Sequence, residues 1–422
     1  MEKLIKVFKI KELRNKILMV FGMLVVFRLM ASIPVPGIDI EKVKDFFSSN
    51  QLFGMLNVFS GGGMANFSIV MLGVGPYITS SIIMQLMTMV IPQVEKWYRE
   101  EGEAGRQKFN QITRYLSVPL SIMQGIGMIS LLKSQDVIGD LSLAQTATTL
   151  LIVTAGTIAL MWIGEFITEK GIGNGVSLII FAGIVASIPS AVKQAIATWD
   201  ETKLLTYAGF AVATFAVIYA IIFITEGQRN IPVSYARRIR GNRVLGGSTT
   251  YLPLRVNQAG VIPIIFAMSV MLFPGMIANF IVSLKFEKLQ AVAQAVDLFL
   301  RNQLYYGILY FGMVVVFTFF YTKITFDPKK IAENLQQNGG YVPGIRPGNK
   351  TEAYLGAVVN RITLTGALFL GAIAVMPFIM QWATGIQTLS IGGTSLLIVV
   401  SVVTETIKQI EGQLIMRSYE GM

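Results

Sequence analysis

The residues of this chain with the means to do chemistry are few, and most are cationic. Arg237, Arg238, Arg240 and Arg243 fall within seven residues, and Arg346 stands between Pro343-Gly344 and Pro347-Gly348. Guanidinium groups gathered on a projecting loop suit phosphate oxygens. Two prolines beside one arginine stiffen the loop that carries it. Ordinary basic charge flanking membrane spans accounts for the same residues, and by residue type alone both readings stand. The rest of the inventory consists of absences. The 422 residues include no His and no Cys. That removes thiol chemistry, the commonest general base, and zinc, haem or copper sites of ordinary type. No GxxxxGK[ST] phosphate loop occurs, so energy for any work enters from a partner or a membrane gradient. With no carboxylate pair in its apolar stretches either, the chain reads as no enzyme, with no cofactor and no metal.

The elements that position these residues are ten apolar stretches, near 17–33, 70–91, 111–132, 147–167, 175–192, 205–225, 258–280, 302–321, 360–380 and 391–411. Each is about the length needed to cross ~30 Å of hydrocarbon as a helix. With 53% apolar residues and a mean hydropathy of +0.61, this is the composition of a polytopic membrane protein. The intervening loops alternate in charge. One set, including both termini, holds 26 of the 35 Lys and Arg; the alternate set holds eight, and Arg28 lies within the first span. The positive-inside rule then places both termini in the cytoplasm. Residues 1–16 read as a basic amphipathic segment rather than a cleavable secretory leader. The net charge of +11 follows from this bias and implies affinity for anionic lipids.

Ionisable groups near the midplane are scarce. Arg28 can snorkel from its helix end, and Glu405 is spaced for a local pair with Lys408. Thr79, Ser80, Ser81, Gln85, Gln124, Thr154, Thr157, Asn257 and Gln258 read as interhelical hydrogen-bond glue. Such sparse charge opposes a secondary transporter for small solutes, the main rival to a passive channel.

Residues 34–69 open on Pro34-Val35-Pro36-Gly37 and end in Phe59-Ser60-Gly61-Gly62-Gly63-Met64-Ala65-Asn66-Phe67-Ser68. Three successive glycines do not nucleate a helix, yet the piece is apolar enough to re-enter the membrane. Irregular backbone at that depth requires cover from protein or a water-filled cavity. The loop 226–257, with Gly241 and Gly246-Gly247, reads as bearing a turn or hairpin tip. Ten spans divide into five and five, and an odd number per half inverts the second half about an axis in the membrane plane. The expected fold is an all-α integral membrane protein of two inverted five-helix halves with a short re-entrant segment. The halves are residues 1–192 and 205–411, joined by a loop at 193–204 and followed by a tail at 412–422.

Several runs, in order along nearly the whole chain, resemble the bacterial branch of the SecY family of protein-conducting channels. They are Ile33-Pro34-Val35-Pro36-Gly37-Ile38-Asp39, Met71 to Leu86, Gly102-Glu103-Ala104-Gly105-Arg106 and Trp162 to Gly175. Further on come Leu254-Arg255-Val256-Asn257-Gln258-Ala259-Gly260-Val261-Ile262-Pro263, Val342 to Gly348 and Gly392 to Val400. The resemblance implies a channel in the bacterial plasma membrane that passes unfolded polypeptide and releases apolar segments sideways into lipid. It maps a pore ring onto Val74, Ile78, Ile180, Ile184, Ile265 and Ile398, and a plug onto Ser60, Gly61, Gly62, Gly63, Met64, Ala65, Asn66 and Phe67. A polar cluster at a lateral gate maps onto Thr79, Ser81, Gln124 and Asn257, and a hinge between the halves onto residues 193–204. Docking of a ribosome or a SecA-type motor ATPase maps onto Arg346 and the arginine-rich loop. Small membrane subunits of SecE and SecG type, signal sequences and nascent polypeptides are the other partners it implies. Read without the resemblance, the six aliphatic residues are core packing, with Val74/Ile78 and Ile180/Ile184 each on one helix face.

Overall fold

The computed structural model describes residues 10–36, 38–49, 54, 57, 60–139, 141–197, 204–235, 238–240, 243–245, 249–283, 299, 302–384 and 392–420. The first five expected spans are the helices α1 (Lys11–Ser32), α3 (Gly75–Val90), α5 (Gly102–Ser134), α6 (Leu143–Lys170) and α7 (Gly175–Ala197). A short helix, α2 (Ile40–Ser49), follows α1, and another, α4 (Pro92–Arg99), follows α3. The second five are α8 (Leu204–Glu226), α9 (Ile262–Ser283), α10 (Gln303–Thr325), α12 (Asn349–Thr384) and α13 (Gly392–Glu420), with α11 (Pro328–Gln337) between α10 and α12. Among the described residues seven helices are long and apolar enough to cross a membrane, and the bent α3–α4 pair makes an eighth span. The apolar helices within α7 and α9, over Gly175–Ser190 and Ile262–Met271, are shorter. Of the expected 193–204 hinge, residues 193–197 continue α7 as helix, 204 begins α8, and 198–203 lie outside the described residues. The expected 412–422 tail continues α13 as helix to Glu420.

Local chemistry sets the helix ends. Ser142 and Gln145 form a reciprocal capping box at the start of α6. Asn302 caps α10, and Asp327 caps α11 with Pro328 in its first turn. Pro92 forces Ile91 into extended backbone, and the chain turns by 110° between α3 and α4. The polarity of a soluble protein is inverted on the outer faces, where Phe21, Leu151, Phe215 and Ile308 are exposed as lipid-facing side chains are.

One element was absent from the expectation of an all-α chain. The strands β1 (Gln228–Tyr235), β4 (Thr249–Arg255) and β5 (Gly340–Tyr341) form an antiparallel sheet in the order β4-β1-β5. Between β1 and β4, β2 (Arg238–Arg240) pairs with β3 (Arg243–Leu245), so the hairpin read from Gly241 is present. Ile231 and Leu254 from the sheet pack with Val342, Leu355, Val358 and Val359 near the start of α12. This small core fixes both basic loops on the end of the helix bundle.

Close backbone approach at Gly156 seats α6 against the turn that leads into α3. A Cβ there would run into the Ile69 carbonyl and the Val70 side chain. Gly156→Ala is therefore expected to destabilise the detergent-solubilised chain by about 3 kcal/mol, toward the upper range for overpacking. Gly22→Ala, with open space around it, is expected to leave the melting temperature unchanged or raised. Equal melting curves for the two variants would contradict this packing.

Candidate functional site

Helices from both halves deliver aliphatic side chains to one place. Val74 is the residue before α3 and Ile78 lies in its first turn, with the Ile78 amide donating to the Val74 carbonyl at 3.0 Å. Ile180 and Ile184 lie on α7, Ile265 on α9 and Ile398 on α13. Val74, Ile78, Ile180, Ile184 and Ile398 are all buried in a single apolar cluster, and Ile265 is partly buried against it. The six residues thus belong to one extended apolar core, within which α9 lies beside α3 and α13 beside α7. Such packing offers water no hydrogen bonds.

Ser60–Phe67 lies directly against this cluster as a succession of turns. Gly61 and Gly62 have φ of +72° and +80°, a backbone region that glycine enters without cost. A Cβ at Gly61 would sit 2.5 Å from the Phe27 ring on α1 and 3.2 Å from Gly183 on α7, between the turns bearing Ile180 and Ile184. Gly73, just before Val74, faces Ser60 in the same way. The segment is pinned to α1 and to the strand-like stretch after it. Asn66 Nδ2 donates to the Ala31 carbonyl at 3.4 Å, and the Val35 amide donates to the Phe67 carbonyl at 2.9 Å. Within it, the Ser60 hydroxyl accepts from the Met64 amide at 3.1 Å. Met64 and Phe67 are buried in a second apolar cluster with Val35, Phe47 and Leu132. Arg28, expected to snorkel, instead donates from Nη1 to the Gly61 carbonyl. A carbonyl in a left-handed turn points away from any ladder and is free to receive that cation. Gly61→Ala is expected to slow disulfide formation between cysteines placed at Asn66 and Ala31 by about tenfold, because its Cβ displaces the turn from Phe27. An unchanged rate would contradict that seating.

The polar residues near the cluster divide into two groups. Gln124 Nε2 on α5 donates to Thr79 Oγ1 on α3 at 3.3 Å, and Ser80 Oγ donates to the Thr113 carbonyl, so these bridge helices. Thr79 and Ser81 hydroxyls also donate back to the Gly75 and Ile78 carbonyls of their own helix. Asn257 is buried just before α9 and donates to the Gly260 carbonyl at 3.1 Å, while its Oδ1 has no partner among the described residues. The structure therefore joins Thr79 to Gln124, and leaves Ser81 and Asn257 bonded within their own segments. Lys408, expected to pair with Glu405, reaches Glu226 on α8 at 3.0 Å instead. Helix packing brings the end of α8 beside α13, which spacing along α13 alone does not reveal.

The basic residues occupy the loops on the sheet side. Arg238 and Arg240 lie on β2 and Arg243 on β3, with Arg240 opposite Arg243 in register; Arg237 is outside the described residues. Arg346 is exposed in a turn closed by the Ile345 amide on the Val342 carbonyl at 3.0 Å. Thr351 Oγ1 holds the Arg346 carbonyl at 3.0 Å, and Gly344 and Gly348 carry the positive φ angles the turn requires.

Sequence reasoning missed the bond from Arg28 to the Gly61 carbonyl and ion pairs that include Lys408 with Glu226, Arg114 Nε with Glu165 Oε1 at 2.7 Å and Arg99 Nη1 with Asp327 Oδ2 at 3.2 Å. Only the Asp327-Pro328 cap carried a local signal.

Ten apolar helices in two sets of five around an aliphatic junction define a class, the multi-pass helical membrane channel. The SecY family model matches residues 68–407. A protein translocase subunit SecY of Streptomyces coelicolor is 42% identical over 437 residues, covering 99% of this chain and 98% of that protein. A solved structure described as a protein conducting channel matches with a TM-score of 0.65 at 18% identity, covering 93% of this chain and 90% of that one. The canine Sec61 channel, solved in a ribosome-channel complex from the endoplasmic reticulum, matches with a TM-score of 0.63 at 17% identity, over 93% of this chain and 90% of that one. The chain belongs to the SecY family. It is a protein-conducting translocation channel subunit and not an enzyme.

Proposed function

We propose that Val74, Ile78, Ile180, Ile184, Ile265 and Ile398 form the constriction through which unfolded polypeptide passes, and that Ser60–Phe67 is the plug that seals it at rest. The observation that supports this is their common burial: six aliphatic residues from four helices and both halves belong to one apolar core, with the glycine-rich turns against it. A ring of this kind makes no directional bond to its passenger, so sequence does not matter to passage. It dewets when empty, so ions are held back.

Segments leave sideways between α3 and α9, the adjacent helices on the two sides of the division. Thr79, Ser81, Gln124 and Asn257 are the polar lining of that gate. Partitioning then sets selection. Ten Leu-like residues gain about 3–6 kcal/mol on entering lipid, and one central Lys or Arg removes about 2.5–3.5 kcal/mol of it. The chain resides in a bacterial plasma membrane with both termini in the cytoplasm, where the 26-to-8 charge asymmetry orients it. Arg237, Arg238, Arg240, Arg243 and Arg346 dock a ribosome, through its RNA phosphates, or a SecA-type motor. SecE- and SecG-type subunits cover exposed apolar faces such as that of α8, where Phe215 and Tyr219 are bare.

The testing experiment is reconstitution with such small subunits and a motor ATPase into vesicles. A secretory precursor with an intact signal segment is expected to become protease-protected on ATP addition. One with a lysine in the middle of that segment is expected to be protected at least about tenfold less. Equal protection of the two precursors would overturn the gate reading.

A further inference from the structure

On the side bearing the basic loops, the two halves are tied by a contact between helix ends that lies apart from both ring and plug. Arg99 is the last residue of α4, the helix bent off α3 at Pro92. Asp327 is the cap of α11, which follows directly on α10. Arg99 Nη1 reaches Asp327 Oδ2 at 3.2 Å, and Lys330 Nζ donates back to the Arg99 carbonyl at 3.3 Å. The second carboxylate oxygen of Asp327 is engaged by the Lys329 and Lys330 amides, at 3.1 and 3.3 Å. Glu95, one turn back on α4, lies 3.6 Å from Arg99. Each helix end thus carries the charge its dipole favours: its own Asp327 carboxylate at the start of α11, and at the end of α4 the Lys330 ammonium supplied by the other half. Both Arg99 and Asp327 are about one-third exposed, so the contact is moderate in strength and breakable.

Its position gives it a consequence. The helix α3 is the first-half wall of the gate, and α10 packs on α9, the opposite wall. Separating α3 from α9 pulls α4 away from α11. At α7 and α13 a second contact between halves, from the Gly173 amide to Gln409 Oε1 at 2.8 Å, joins a helix pair that bears ring residues and not the gate.

We propose that Arg99, Asp327 and Lys330 form a clasp on the outside of the gate that holds the halves closed and raises the signal strength needed to open them. The proposal rests on reading α3 and α9 as the gate. These are positioning residues; they touch neither ring nor passenger.

The test is a double-mutant cycle of Arg99→Gln and Asp327→Asn in the full chain, reconstituted with its small subunits. Asparagine keeps the cap on α11 and removes the charge, so folding is spared. Two readouts are taken: the distance distribution between spin labels at Met89 on α3 and Glu333 on α11, and protection of a precursor with a weakened signal segment. Each single variant is expected to broaden the distribution toward longer distances and to raise weak-signal protection roughly threefold. The double variant should exceed neither single, because all act through one contact. Strong-signal protection should not change. An unaltered distance distribution, or additive effects in the double variant, overturns the clasp. A lengthened distance with unaltered weak-signal protection overturns its role in selection and the gate reading beneath it.

Discussion

Replacing Ile398 with asparagine is expected to turn a sealed membrane into a leaking one. Ile398 is fully buried at the meeting of α13 with the other ring helices. An amide buried there without partners costs about 1–3 kcal/mol, and the cheapest relief is to admit water. Water in the constriction removes the dewetting barrier that excludes ions. A barrier lowered by about 2.7 kcal/mol corresponds to a leak about 100-fold higher. The same wetting lowers the cost of opening, so precursors with weak signal segments should pass more freely. Ile265→Asn is expected to act in the same direction with smaller effect, because Ile265 is only partly buried against the cluster. Anion efflux from vesicles and the signal dependence of translocation both read this out. If both stay at the parental level for Ile398→Asn, the ring is packing and nothing more.

Arg346→Glu is expected to stop translocation while leaving the amount of folded protein unchanged. The side chain is exposed, and the turn beneath it is held by backbone and Thr351 rather than by the guanidinium. Its replacement should therefore fall within the small stability range of surface changes. A docking contact to an acidic surface is different, because charge reversal removes an attraction and adds a repulsion. Losses at such contacts reach about 2–5 kcal/mol, or at least about 30-fold in affinity. Arg346→Lys keeps the charge and loses the planar fork, and should fall between the two. Motor-ATPase binding to vesicles together with precursor protection provides the measurement. Normal secretion by the Glu variant would refute a docking role.

Most of the architecture was legible because a membrane leaves few options. Each of the ten apolar stretches became one of the ten apolar helices, since a backbone in hydrocarbon must satisfy its own hydrogen bonds. The i,i+4 spacing of Val74/Ile78 and Ile180/Ile184 already placed each pair on one face. What that face meets was not legible, because convergence with Ile265 and Ile398 depends on how distant helices pack. The sheet went unread for a related reason. Ile231 and Val233 alternate toward the interior as a strand should, but the strand's partner β5 is only two residues long and lies over 100 residues away. Arg28 and Lys408 found partners in Gly61 and Glu226, which neither spacing nor snorkelling suggested. Asp327 caps α11 through Oδ1, while its Oδ2 accepts from a residue 228 positions earlier, which nothing local in the sequence signals.

The central claim is that a translocating chain runs through the aliphatic junction. The direct measurement places a photoactivatable crosslinker in turn at Ile78, Ile184, Ile265 and Ile398, one from each of the four ring helices. A secretory chain is then stalled midway through the reconstituted channel. Adducts to the stalled chain at all four positions, and none from the outward-facing Leu151 or Phe215, are the predicted result. Adducts confined to the outward positions, with the four inner ones silent, would contradict the account.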